Sequence, residues 1–223
     1  MRAILAALWQ GDSAFPSGGF AFSNGLEGVA ALAGPLDRAG LSAVMDAALR
    51  HRWATVDRVA LLHAFAAEDL DRIAIVDRAV EAATPTEAFR VGSRRNGRAL
   101  LIAHGRLATP EAAELKAAVA AGRALGHLPV VQGWVWRRCG LDARAAVAAS
   151  AYTVAAGLAN AAVRLGWLGA IDAQGALGDS LDLAADLARE ADDPPPLRLS
   201  SATPWLDVAA TRHARSGLRL FSN

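Results

Sequence analysis

Cys139 is the only cysteine in this chain of 223 residues. One thiol excludes an intrachain disulfide and any metal site built from clustered cysteines, and it points to a reducing compartment. Tyrosine also occurs once, and valine and isoleucine never alternate over strand-length runs, so the signature of a β-sheet is missing. Charge of one sign is absent too: 23 basic residues against 22 acidic leave a formal +1, and no overall field draws the molecule to nucleic acid or anionic lipid. No loop ends in the Gly-Lys-Ser or Gly-Lys-Thr of a phosphate cradle, and no Gly-x-Ser-x-Gly elbow presents a nucleophile. The histidines, His51, His63, His104, His127 and His213, include no pair at i, i+4 and no zinc-site spacing. The sequence therefore offers no catalytic residue, no metal-ligand set and no cofactor motif.

What is present is apolar and small. Hydrophobic residues make up 53% of the chain and alanine is the commonest of them, a composition suited to closely packed helices. The expectation is an all-α fold, a single compact helical-bundle domain with a proline-rich break before a C-terminal tail. The apolar start reaches Asp12 too soon for a secretory signal, so the expected location is cytoplasmic. Nothing between Arg144 and Arg164 is charged, nearly the length of a membrane span. Alanine dominates that stretch, and Ser150, Tyr152, Thr153 and Asn160 interrupt it, which favours a central helix of a soluble bundle and no membrane insertion.

Periodicity and punctuation order the helices. Residues 2 to 10 read as a short helix, and Asn24 with Glu27 fits a capping box for a helix ending near Gly34-Pro35. Leu41, Val44, Leu49, Trp53, Val56, Ala60 and Leu61 predict one long helix to Ala67, followed by another from Leu70 to Ala83. Thr84-Pro85-Thr86-Glu87 and Thr109-Pro110-Glu111 predict helix starts with proline at the first position, giving helices over 85–104 and 110–124, with Gly126 after the second. Leu128 to Arg138 and the alanine-rich stretch after Asp142 complete the middle of the chain. A glycine-rich break is expected over 168–177, then a helix over 179–191. Pro194-Pro195-Pro196 cannot continue it, so the last residues are expected to leave the bundle as an extended segment or a late short helix.

Three features suggest recognition. The turn from Asp12 to Glu27 combines glycines with Phe15, Phe20 and Phe22, too apolar for a linker and suited either to core anchoring or to a binding surface. Arg90, Arg94 and Arg98 recur at i, i+4 with Arg95 adjacent, a stripe that calls for acidic partners inside or outside the chain, because like charges at that spacing repel. Interleaved aromatics are missing there, which argues against nucleic acid. Beyond the prolines, Arg219, Leu220 and Phe221 place large apolar groups where a disordered tail has no use for them.

Taken in order, these stretches resemble the UreF family of urease accessory proteins. The resemblance is carried by Leu8-Trp9-Gln10 through Phe20, Ser23-Asn24-Gly25-Leu26-Glu27, Phe89-Arg90, Ser93 to Leu100, Gly126-His127-Leu128-Pro129-Val130-Val131 with Gly133, Arg164-Leu165, and the closing Arg219-Leu220-Phe221-Ser222. It departs from the family pattern at Trp167-Leu168-Gly169-Ala170, where Gln174 is retained, and at Ala214 after His213. The resemblance implies one all-helical domain over 1–223, with 194–223 as an interaction tail. It further implies a non-enzymatic scaffold that dimerises, joins UreD (also called UreH) and the GTPase UreG, and engages apo-urease for nickel delivery. On that basis the partner-binding candidates are Phe15, Phe20, Phe22, Glu27, Arg90, Arg94, Arg95, Arg98, His127, Gln174, His213, Arg219, Leu220 and Phe221. The competing readings are a helical enzyme using dispersed histidines and acids, and a generic structural dimer.

Overall fold

The computed structural model describes residues 1–19, 22, 23, 25–189 and 194–213, the last of these by its backbone alone. Among the described residues all regular structure is helical. The helices are α1 (Arg2–Gly11), α2 (Leu26–Ala33), α3 (Arg38–Ala48), α4 (Arg58–Ala66), α5 (Leu70–Ala83), α6 (Glu87–Arg106), α7 (Ala112–Ala120), α8 (Leu128–Arg138), α9 (Ala143–Arg164), α10 (Ala170–Ala188) and α11 (Pro204–His213). A π-helical stretch, Leu49–Asp57, joins α3 to α4. Aspartates cap three of the starts: Asp37, Asp69 and Asp142 accept from the backbone N–H groups of Gly40, Arg72 and Ala145.

The helix expected from Leu41 to Ala67 is thus continuous but wide in the middle. A π turn brings residues five apart together, and Arg52 there reaches Asp57 at 3.2 Å while also donating to Thr84 Oγ1 at 2.8 Å. Trp53 is turned fully inward and donates to Ser150 of α9 at 3.1 Å.

Other expectations need correction. Thr84 ends α5 and Thr86 is the N-cap of α6, with no proline in its first turn. Thr86 Oγ1 does not cap; it donates to Asp207 of α11. Helix α7 begins at Ala112, after Pro110, because Glu111 takes a left-handed conformation (φ 59°) with its carbonyl accepting from Trp134 Nε1 and its carboxylate bound by Arg138. It ends at Ala120, ahead of Gly122 rather than near Gly126. The expected break over 168–177 falls earlier, at Gly166 to Gly169, and a single helix, α10, replaces the break and the 179–191 helix. Gly175 lies within this helix, and the space that a side chain would take there holds the Arg38 guanidinium of α3, which pairs with Asp179 at 2.8 Å. The Asn24 side of the proposed capping box lies outside the described residues; Gly25 is the N-cap of α2.

Two apolar clusters form the interior, and α9 runs through both. Its first half, with Ala146, Val147 and Ala151, packs with Trp53, Trp134 and Trp136; its second, with Ala155, Leu158 and Ala162, packs with Leu26, Leu41 and Met45. Helix α9 is the one described helix long and apolar enough to cross a membrane, yet 56% of its apolar window is buried among neighbouring helices, as in a core helix. The C-terminal helix does not leave the bundle. It docks on α2 so closely that a Cβ on Gly28 would lie 2.3 Å from the carbonyl oxygen of Ala209.

Candidate partner interface

The arginine stripe of α6 divides by direction. Arg90 and Arg94 lie against α5, where Arg94 meets Glu81 at 2.7 Å and Arg90 meets Glu87 at 2.5 Å and Glu81 at 3.5 Å. Arg90 also donates to the carbonyls of Thr84 and Pro85, satisfying acceptors that the end of α5 leaves open. Their acidic partners are therefore within the chain. The hydrogen bond from Arg90 holds the Glu87 carboxyl below its ordinary range. Arg95 and Arg98 face outward and are exposed, with the Arg95 guanidinium 5.6 Å from the centre of the Phe22 ring.

His127 stands behind this stripe, fully buried at the N-cap of α8. Its Nε2 is 2.7 Å from the Glu81 carboxylate that also binds Arg94, so a chain of polar contacts runs from exposed Glu87 through Arg94 and Glu81 to the interior. Burial holds His127 below the ordinary histidine range against the opposing charge of Asp77 and the Glu81 contact. One turn before Glu81, fully buried Asp77 accepts from three successive backbone N–H groups, those of Leu125, Gly126 and His127, at 2.6, 2.6 and 2.9 Å. Helix α6 crosses this same loop so tightly that a Cβ on Gly97 would lie 2.0 Å from the Gly126 carbonyl oxygen. The stretches around Arg94 and His127, remote in sequence, form one locked unit.

The aromatic turn is anchored inward. Phe15 packs edge-on to Trp9 at 5.4 Å and beside His104 at 5.5 Å, and Phe22 lies buried between Arg95 and Gly92. Glu27 is buried in the first turn of α2, whereas Gln174 is exposed on α10. His213 closes α11; Phe20, Arg219, Leu220 and Phe221 lie outside the described residues. Phe15, Phe22, Glu27 and His127 therefore support the surface from within, while Arg95, Arg98 and Gln174 lie on it.

Sequence reasoning missed Asp77 and Glu81, an acidic i, i+4 pair on the apolar side of α5 with Ile73, Val76 and Val80. That anomaly was the available signal. It also missed Trp205 and Val208, large side chains left about half exposed on α11.

Among the described residues no group of three or more histidines, cysteines, aspartates or glutamates stands together as a metal site. Burial pushes the Cys139 thiol up to about 11, and its sulfur lies 2.8 Å from the Val135 carbonyl oxygen, so it stays protonated at neutral pH.

The UreF family profile matches residues 36–180. Urease accessory protein UreF of Trichodesmium erythraeum is 30% identical over 98% of this chain and 96% of its own length. Urease accessory protein UreF 1 of Brucella melitensis is 32% identical over 99% and 92%, and the UreF of Cereibacter sphaeroides is 30% identical over 99% and 98%. These pairwise matches extend beyond the profile to span the aromatic turn and the C-terminal helix. With a helical fold in which α6 and the loop into α8, two of the stretches that suggested the resemblance, are locked together through α5, the chain belongs to the UreF family, a family of non-catalytic accessory proteins in urease maturation.

Proposed function

We propose that this chain is a cytoplasmic, homodimeric scaffold that binds UreD (UreH), recruits and regulates the GTPase UreG, and brings both to apo-urease with nickel as the cargo. The observation that carries this reading is the end-to-end similarity to proteins named urease accessory protein UreF. The division of labour within the surface supports it. A scaffold needs area in place of reactive side chains, on the order of 1,000 Å² or more for each stable interface.

Outward Arg98, beside exposed Arg95, offers a forked donor to acidic groups of one partner, on a face held rigid by Asp77, Glu81 and Phe22. Trp205 and Val208, exposed on α11, provide the aromatic and apolar contact that a second partner, UreD, would use as a hot spot, and the sequence that follows α11 carries Arg219, Leu220 and Phe221. The exposed stripe of Ile4, Leu5 and Leu8 on α1 is the face we assign to the second copy.

Deleting residues 213–223 and measuring UreD capture by pull-down tests the tail assignment. The folded truncate is expected to lose UreD; undiminished capture would remove the tail from the interface.

A further inference from the structure

The outer face of α6 carries a pattern wider than its arginines. Val91, Arg95, Arg98, Ile102 and Gly105 follow one another at steps of four, three, four and three residues, the spacing that keeps one line of side chains turned toward a neighbouring helix. At 1.5 Å of rise per residue the line is about 21 Å long, and Arg106 flanks its end. Val91 is half-buried, and the other four and Arg106 are exposed. Gly92, Asn96, Leu100 and Ala103, which alternate with them, are buried, so the line is the side of α6 turned away from the bundle.

Charge along this line has one sign. Arg90 and Arg94 are answered by Glu81 and Glu87, whereas Arg98 and Arg106 have no acidic partner among the described residues. The Arg95 guanidinium lies over the Phe22 ring, which fixes where its charge stands. Between the arginines sits Ile102, with 45% of its surface exposed. A Cβ on Gly105 would meet nothing within 4 Å, so a side chain from outside has room to enter there.

We propose, on the reading of this chain as a maturation scaffold, that this line is the docking seam for an acidic helix of a partner protein. Carboxylates of that helix meet Arg95, Arg98 and Arg106, and an apolar side chain between them packs on Ile102 where Gly105 leaves room. The spacing selects a helix: side chains along the seam recur every 5 Å or so, as on another helix, whereas those on one face of a strand recur about every 6.7 Å. The sign of the charge selects carboxylates. A nucleic-acid backbone would set phosphates against Ile102 and would find no exposed aromatic on the seam to stack on.

The test measures binding of UreD, UreG and apo-urease, each alone, to the full chain at low and high salt. The variant R98E/R106E is compared with K116E/R123E, which makes the same change in net charge at exposed positions on and after α7, away from the seam. For one partner, R98E/R106E is expected to weaken binding by about tenfold or more while K116E/R123E leaves it near the unaltered value, and high salt is expected to weaken binding to the unaltered chain. Circular dichroism melts identify a variant that fails to fold. A photo-crosslinker, Ile102→benzoylphenylalanine, then decides: crosslinks are expected in a stretch of that partner with acidic residues at helical i, i+3 and i+4 spacing. Equal binding by the two double variants, or crosslinks to a stretch without acidic residues or to nucleic acid, would overturn the proposal and leave the scaffold reading standing. Binding of none of the three proteins by the unaltered chain would overturn the scaffold reading itself, and the seam with it.

Discussion

The carboxylate of Glu81 stands 2.7 Å from Nε2 of the fully buried His127, while its other oxygen meets Arg94 at the same distance. One acidic side chain on α5 thereby ties the loop into α8 to the arginine stripe of α6. If this tie holds the α6 face in place, Glu81→Ala should destabilise the protein by about 2 kcal/mol, because it leaves a buried imidazole N–H without its acceptor and takes from Arg94 the nearer of its two carboxylates. Glu81→Gln, which keeps an oxygen, should cost less. Urea unfolding of the three proteins checks this, and equal midpoints would show that the contact contributes nothing.

Close backbone approach makes a second prediction, with a control on the same helix. Gly97→Ala drives a methyl group into the Gly126 carbonyl and should cost about 1–3 kcal/mol. Gly105, also within α6, has nothing within 4 Å of its would-be Cβ, so Gly105→Ala should be neutral or stabilising by up to about 1 kcal/mol. Thermal melts of both variants should move in opposite directions or leave Gly105→Ala unchanged.

The buried histidines set the response to acid. His104 Nε2 faces Gln10 Oε1, which accepts, and its Nδ1 lies 2.8 Å from Thr109 Oγ1, so the ring is neutral with its proton on Nε2. Burial lowers its pKa from 6.5 to about 4. Between those values the unfolded chain takes up a proton that the folded chain refuses, so the stability present above pH 6.5 is lost as pH falls toward 4, on the order of 3 kcal/mol. His63 and His127 are lowered as well, each chiefly by burial, and act with the same sign. His104→Leu should flatten the decline measured by urea unfolding from pH 7 to 4.5; an unchanged slope would mean that His104 takes no part in it.

Much of the fold was legible in the sequence because local signals sufficed. Leu70–Ala83 and Leu128–Arg138 match their predicted bounds, and Asp69 and Asp142 cap as residues of that type should. The misses are places where a distant group overrides a local one. Thr84-Pro85 and Thr109-Pro110 read as helix starts, but α6 begins two residues later, behind Thr86, whose hydroxyl is engaged by Asp207 far along the chain, and α7 waits for Glu111, which is held by Trp134 and Arg138. Gly175 reads as part of a break, whereas in the fold it is the residue that leaves room for Arg38 of α3 against α10. Of the candidate surface, the arginine stripe was visible as a pattern, but which arginines face outward depends on Glu81, and only the packing of α5 on α6 decides it.

The central claim is that this chain promotes urease maturation as a scaffold. It is tested most directly by reconstituting apo-urease with UreD, UreG, GTP, nickel and bicarbonate, with and without this chain, and measuring urease activity. Activation that requires the chain is the predicted result, and equal activation in both reactions would contradict it.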